Sequence, residues 1–299
     1  MINWVYFVLI AQGIWSITSL IDKIVISRGY IKNPLVYIVL NGLTNVLLIF
    51  MLPFVGFEML STSNLIILLL SGVTFSAAIT FYYKAVQYDE ISRVTVLYQL
   101  GPIFVLVLSY LLLDEILTRY SFIGLLFLIS AGLIISYKKS GQKFRLSITF
   151  YLMLLSAFLS SVSLVSAKHI FNVTGFWSAF LWLRISGFTA LLVLLFPSIR
   201  KQFVETFRLM NNKIRKLLGL KIIIDFSAFI FAGYALKQGQ APLVSGLASS
   251  VLPLFVFIVA LFTSLYFPKI VKEEIDKKAI LTKLLAIALI IVGIIFVNM

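Results

Sequence analysis

The chain contains one passage twice. YKAVQYDEISRVTVLYQLGPIFV, starting at Tyr83, and YALKQGQAPLVSGLASSVLPLFV, starting at Tyr234, align at an offset of 151 positions. Tyr83 and Tyr234, Gln87 and Gln238, Pro102 and Pro253, Phe104 and Phe255, and Val105 and Val256 coincide at that single offset. Each copy sits in apolar sequence long enough to cross a bilayer. A duplicated membrane-embedded half is a common plan for transporters, because two similar bundles can rock about a site between them. The repeat points to solute translocation before any chemistry is weighed.

Of the 299 residues, 61% are hydrophobic and 12% charged, whereas a soluble domain carries about 25% charged residues. A chain without a water-facing shell is an integral membrane protein. With no cysteine, disulfides and thiolate metal sites are excluded. His169 is the single histidine and gives no basis for a histidine-based site, so no metal and no other cofactor is expected. The net charge of +14 forms no continuous stripe of the kind nucleic acid requires. The basic residues lie in short breaks between apolar runs, where they face anionic lipid headgroups and fix orientation. The stretch MINWVYFVLIAQGIWSITSLI has neither a basic n-region nor a small-residue cleavage motif, and reads as a first permanent span.

A helix needs about 20 apolar residues to cross the hydrocarbon core. Reading between charged breaks predicts ten spans, near 3–21, 34–53, 64–86, 92–113, 119–137, 146–167, 176–197, 217–236, 241–267 and 281–298. Their continuous apolarity favours helices, which satisfy their own backbone in lipid. Connections after the odd-numbered spans carry 20 basic residues, and those after the even-numbered spans carry Arg119, Lys168 and Lys237. Short basic loops stay in the cytoplasm, so both chain ends are expected outside. The longest connection, SIRKQFVETFRLMNNKIRK near 198–216, mixes aromatic, aliphatic and basic residues as an interfacial helix does. No extramembrane domain is predicted, and function must reside inside the bundle.

Five spans per half is an odd number, so the second copy enters from the opposite side. The expected fold is an all-α integral membrane protein: ten transmembrane helices as two inverted five-helix repeats, residues 1–140 and 141–299, around a central cavity. The first helices align at an offset of 145, IDKIVI from Ile21 meeting SAKHIF from Ser166, with Lys23 and Lys168 in common.

On these pieces the chain resembles the drug/metabolite transporter superfamily, in its ten-helix EamA-type members. The pieces are Trp15-Ser16 in span 1, GPIFVLVLSYLLLDE ending at Glu115, and the following FIGLLFLISAGLIIS. In the second half they are LRISGFTALLVLLF around Arg184, GYALKQGQAPLVSGLASSVLPLF and LAIALIIVGIIF. The resemblance implies a solute carrier without an ATP-hydrolysing part, a cavity lined by spans 1, 3, 4, 6, 8 and 9, and alternating access. It also implies a bacterial or archaeal cytoplasmic membrane. Two features depart from it. The acid after span 4 is present as Glu115, but the second half offers only the displaced Glu273 and Glu274. Members are usually drawn with cytoplasmic termini, opposite to the charge count.

An ionisable side chain near the bilayer centre costs about 2.5 to 3.5 kcal/mol on insertion scales, so one that persists faces protein or a water-filled cavity. Arg184 and Asp225 each lie about eight residues, or roughly 12 Å, into their spans, at depths that allow them to pair. They mark either a coupling or substrate-anion site, or a structural ion pair; in a third reading Lys221, one turn earlier, neutralises Asp225. The cavity spans contribute Gln12, Trp15, Ser16, Ser19, Tyr83, Tyr98, Gln99, Ser161, Tyr234, Ser245, Ser249 and Ser250. Of these, Gln12, Trp15, Ser16, Tyr83, Tyr98, Gln99, Ser161, Tyr234 and Ser249 are the candidate substrate-binding residues, since Tyr and Trp pair an apolar face with a polar tip. Interhelical hydrogen bonding is the bland alternative for each. Pro102 and Pro253 are predicted mid-span kinks or hinges. Gly124, Gly132 and Gly293 are assigned to close packing.

The leading function is a secondary transporter that moves a small organic metabolite or drug-like solute by alternating access, with proton coupling as an option. The alternatives are a flippase for a lipid-linked sugar or isoprenoid phosphate, a non-transporting scaffold and a membrane-embedded enzyme. Clustered intramembrane carboxylates and a nucleotide-binding glycine loop are both missing from the sequence, which argues against the enzyme. The expected partners are a small-molecule solute and the lipid bilayer, in a monomer or homodimer, with no nucleic acid.

Overall fold

The computed structural model describes residues 4–27, 31, 33–88, 94, 97–136, 148–266 and 277–299. Every regular element among them is helical. In chain order these are α1 (Trp4–Ser27), α2 (Pro34–Leu43), α3 (Thr62–Tyr88), α4 (Gly101–Leu113), α5 (Arg119–Ser136) and α6 (Ile148–Val173). They are followed by α7 (Phe176–Ser186), α8 (Pro197–Leu209), α9 (Asn212–Gln238), α10 (Ala241–Tyr266) and α11 (Lys277–Val297). Uninterrupted apolar sequence dictates this outcome, because a helix pairs its own N–H and C=O groups where lipid offers no partner. Ile66, Leu111, Leu126 and Ile291 point outward, as on a body solvated by hydrocarbon.

Seven of the ten expected windows hold a helix long and apolar enough to cross a membrane: Trp4–Asp22, Leu35–Phe54, Thr62–Val86, Ile148–Val173, Phe176–Leu195, Asn212–Gln238 and Ala241–Thr263. The remaining windows hold the shorter apolar helices Gly101–Leu113, Arg119–Ile134 and Leu284–Val297. Among the described residues, seven of the ten windows are thus full-length spans and three hold shorter apolar helices. In the fourth window Gln99 and Leu100 form a turn, and α4 begins only at Gly101. Pro102 consequently stands in the first turn of α4, where a missing N–H removes no helix bond. Pro253 lies inside α10. The matched prolines thus occupy different local structures, and only Pro253 interrupts a helix.

Two close helix contacts join α2 to α7 and α5 to α11. Midway along their windows α2 and α7 both tighten into 3-10 helix, over Thr44–Phe50 and Gly187–Leu195. They meet there: a Cβ on Gly42 would lie 3.1 Å from Ala190 Cβ, and a Cβ on Gly187 would lie 2.5 Å from Asn45 Nδ2. Gly42 and Gly187 are 145 positions apart, and so are Asn45 and Ala190, which makes the contact reciprocal. The same holds for α5 and α11. Gly124 faces Val297 and Gly293 faces Leu128, and each of those side chains follows its own helix's glycine by four residues. Glycine is required at such points because any side chain would hold the backbones apart.

Packing elsewhere also brings together helices distant in sequence. Helix α1 lies along α9 and α10, and α6 lies along α3 and α4. Helix α8 is the amphipathic segment expected near 198–216. Its Phe203 and Phe207, 5.2 Å apart, pack with Val25, Tyr37 and Ile214, and its Arg200, Lys201 and Arg208 are exposed.

Candidate functional site

Helix α9 carries one ionic group at its middle and another at its C-terminal end. At the middle Lys221 pairs with Asp225, one turn on, and its ammonium lies 3.5 Å from Asp22 Oδ1 on α1. It also sits 5.8 Å from the centre of the Tyr37 ring on α2. One cation therefore serves two carboxylates, with Lys221 and Asp225 both buried. Among the described residues, Asp22 Oδ1 and the Tyr37 hydroxyl are sealed from solvent and make no hydrogen bond, Asp22 keeping its ionic contact with Lys221. An aromatic chain leads away from this cluster: Tyr37 to Tyr83 at 5.1 Å, Tyr83 to Tyr82 at 5.4 Å, and Tyr82 to Tyr98 at 5.7 Å.

Arg184 and Asp225 do not pair with each other. Asp225 is taken by Lys221, because residues four apart on a helix face each other without any adjustment of packing. Arg184 instead lays its guanidinium 3.9 Å from the centre of the Phe229 ring and 5.6 Å from that of Phe180. Trp15 meets the same Phe229 ring edge-on at 5.2 Å. Asp22 was missed in the sequence because it falls one residue past the apolar window near 3–21; the signal was its position one helical turn beyond Thr18 and two beyond Trp15.

At the C-terminal end of α9, Lys168 belongs to α6 and is buried, although its charge suggested a connection. Its ammonium donates to the carbonyls of Leu236 and Gly239, both at 2.8 Å, and lies 3.6 Å from Glu115 Oε1. A lysine there meets the unpaired carbonyls and negative dipole end of α9. Glu115 in turn accepts from the Ala241 N–H at 2.8 Å, at the positive end of α10. Asp114 closes α4 in the left-handed region, φ 53°, and this turn directs Glu115 inward.

The remaining candidates are placed as follows. Gln12 is buried and shares a face of α1 with Trp15 and Ser16. The Ser16 hydroxyl donates to Gly13 O at 2.6 Å and that of Ser249 to Ser245 O at 2.7 Å, each within its own helix. Ser161 reaches across to Gly101 O at 3.1 Å, and the Gln99 amide donates to Ser249 O at 3.2 Å, joining α6, α4 and α10 around the broken fourth window. Tyr98 keeps 40% of its surface accessible. Tyr234 stacks on Phe7 at 5.3 Å and on Phe176 at 3.6 Å, so the two repeated tyrosines lie in opposite aromatic clusters. Glu273 and Glu274 lie outside the described residues.

Two clefts open at the surface. One, of about 670 Å³, lies between α4 and α5 and is lined by Leu106, Tyr110, Glu115, Arg119 and Phe122 among others. The second, of about 530 Å³, is lined by Phe54, Glu58, Phe176 and Trp177. None of the candidate binding residues lines either. In the second cleft the Thr174 hydroxyl, and then the Gly175 N–H, hold the Glu58 carboxyl below the usual carboxylate range.

One solved structure, described only as the crystal structure of a protein, is similar to this chain with a TM-score of 0.67 at 16% identity. The likeness covers 99% of this chain and 98% of that one, and it concerns the fold alone. No curated protein matches the chain in sequence. Residues 2–137 match the EamA-like transporter family. Through residues 2–137 the chain is similar to the EamA-like transporter family, and seven of its helices are long and apolar enough to cross a membrane.

Proposed function

We propose that the chain is a secondary carrier that moves a small organic solute by alternating access, with residues 1–140 and 141–299 as two inverted halves. The observation that carries this reading is the reciprocal contact of Gly42 with Ala190 and of Gly187 with Asn45. A twofold relation between halves is what a rocking pair requires, since each half must fit the other in both positions. The two ionic groups along α9 supply the contacts that must part. Glu115 and Lys168 clasp its C-terminal end, while Asp22, Lys221 and Asp225 hold its middle to α1. Moving α9 against α1 or α6 means parting these groups. The second cluster has two acids and one base, so a proton on one acid leaves a matched pair and weakens the hold of α1 on α9. That is a route for proton coupling through Asp22 and Asp225.

The test is counterflow in proteoliposomes, using the compound that most raises the melting temperature in a metabolite panel. Wild-type protein is expected to exchange labelled for unlabelled solute and to accumulate it on a pH gradient. Asp22→Asn is expected to retain exchange and lose gradient-driven accumulation. Loss of neither, or absence of any counterflow, contradicts the reading. The outward-facing apolar cleft between α4 and α5, with Glu115 and Arg119 in its lining, favours a second reading, a flippase for an amphiphilic lipid. A flippase gives no counterflow of water-soluble compounds.

A further inference from the structure

Among the described residues Arg184 is a charge without a counter-charge. Its Nε is sealed from solvent with no hydrogen-bond partner, and its terminal nitrogens, which are not sealed, have no acceptor among the described residues. The nearest acid on the facing helix is Asp225, one turn from Phe229 and already taken by Lys221. The guanidinium is held in place by ring faces, Phe229 at 3.9 Å and Phe180 at 5.6 Å. Such contacts fix its position but satisfy none of its five donors. Placing a cation at this depth costs about 2.5 to 3.5 kcal/mol, and buried charges are ordinarily paired. A site that holds a guanidinium rigidly and leaves its fork empty is prepared for an anion.

The surroundings define the rest of the ligand. Trp15 lies 5.2 Å from Phe229, edge-on, and is half-buried. Its indole N–H has no acceptor among the described residues. Gln12, on the same face of α1, likewise spends its amide on none of them. An apolar wall with two unspent polar tips beside one cation fits an apolar body with a single negative group. A phosphate monoester brings a charge of about −1.5 to −2, and one guanidinium leaves part of that unbalanced in a low-dielectric site.

We propose that Arg184 anchors the carboxylate of a small monocarboxylic acid whose apolar body lies against Trp15 and Phe229. This rests on the carrier reading above and names its substrate class. The site joins α7, which carries Arg184, to α9 and α1, the pair also held together by Asp22 and Lys221. A ligand that bridges these helices is positioned to sense their separation.

The experiment uses purified full-length protein in detergent with benzoate, phenylacetate, benzamide and phenyl phosphate as probes, read by thermal shift. At least one of the two carboxylates is expected to raise the melting temperature saturably, with benzamide and phenyl phosphate giving no comparable shift. Arg184→Gln should weaken the apparent affinity at least about tenfold, equivalent to about 1.4 kcal/mol. If Arg184→Gln is not monodisperse on size exclusion, Arg184→Lys, which keeps the charge and loses the fork, should weaken it several-fold. Failure of both carboxylates to shift the melting temperature, equal shifts from benzamide, tighter binding of phenyl phosphate, or an unchanged affinity in the arginine variants overturns the proposal. Counterflow separates the two claims: exchange of neutral or cationic solutes without a carboxylate response overturns the substrate class alone, and no exchange of any solute overturns the carrier.

Discussion

The ammonium of Lys168 lies 3.6 Å from Glu115 Oε1 while donating to the carbonyls of Leu236 and Gly239. One side chain thus ties α6 to the end of α9, and its acid partner ties the turn after α4 to the start of α10. Lys168→Met leaves a largely buried carboxylate without its cation, and removing one partner of a buried pair costs about 3 to 5 kcal/mol. A clear fall in melting temperature in detergent is expected. Glu115→Gln keeps an acceptor for the Ala241 N–H and should fall less. Wild-type melting of Lys168→Met contradicts the assignment.

Lys221 should matter more than either acid it serves. Lys221→Met exposes Asp22 and Asp225 to each other without a cation, whereas Asp225→Asn leaves Lys221 paired with Asp22. The double variant Lys221→Met with Asp225→Asn is expected to recover about 1 to 3 kcal/mol of the loss, the usual coupling between groups in contact. Strict additivity of the melting shifts argues against the cluster. Exchanging Arg184 and Asp225 for one another should not restore function, since the two side chains do not meet.

Glu58 sets an acid-side dependence outside the spans. Its carboxyl is held below the usual range, chiefly by the Thr174 hydroxyl. A value lower in the folded than in the unfolded state adds stability that is present above the unfolded value and lost as pH falls through the folded one. The melting temperatures of wild type and Glu58→Gln should therefore differ near neutrality and converge as pH drops through the carboxylate range. Thr174→Val should move that convergence to higher pH. A difference independent of pH contradicts the contact.

The reciprocal glycine contacts predict matched effects on α5 and α11. Leucine at Gly124 meets Val297 and the Gly293 carbonyl, and leucine at Gly293 meets Leu128 and the Gly124 carbonyl. Each substitution should cost about 1 to 3 kcal/mol or more as overpacking, read as similar drops in melting temperature. A large effect at one position with none at the other contradicts the reciprocity.

Much of the architecture was legible because lipid leaves few choices. Continuous apolar runs place helices in all ten windows, and the basic, aromatic-rich segment near 198–216 folds as the amphipathic α8. What apolarity could not reveal is where a helix breaks or extends. Nothing in QLGP announces that Gln99 and Leu100 turn before α4. Lys168 looks like a loop residue until α9 ends and α10 begins beside it. The charge pairing was open for the same reason. Asp225 had two cations at a suitable depth, Lys221 and Arg184, and only tertiary packing of Arg184 on Phe229 decides between them. Asp22 escaped because hydropathy trims a helix at its first charge, although the helix itself continues to Ser27.

The most direct test of the two-halves account is the sidedness of equivalent positions. Ser61 and Asn212 are exposed, 151 positions apart, and precede or begin α3 and α9. The chain has no cysteine of its own, so Ser61→Cys and Asn212→Cys each report alone. With a membrane-impermeant thiol reagent on intact cells, one variant should label and the other only after the membrane is opened; the charge count assigns external labelling to Ser61→Cys. Labelling of both from the same side contradicts inverted halves.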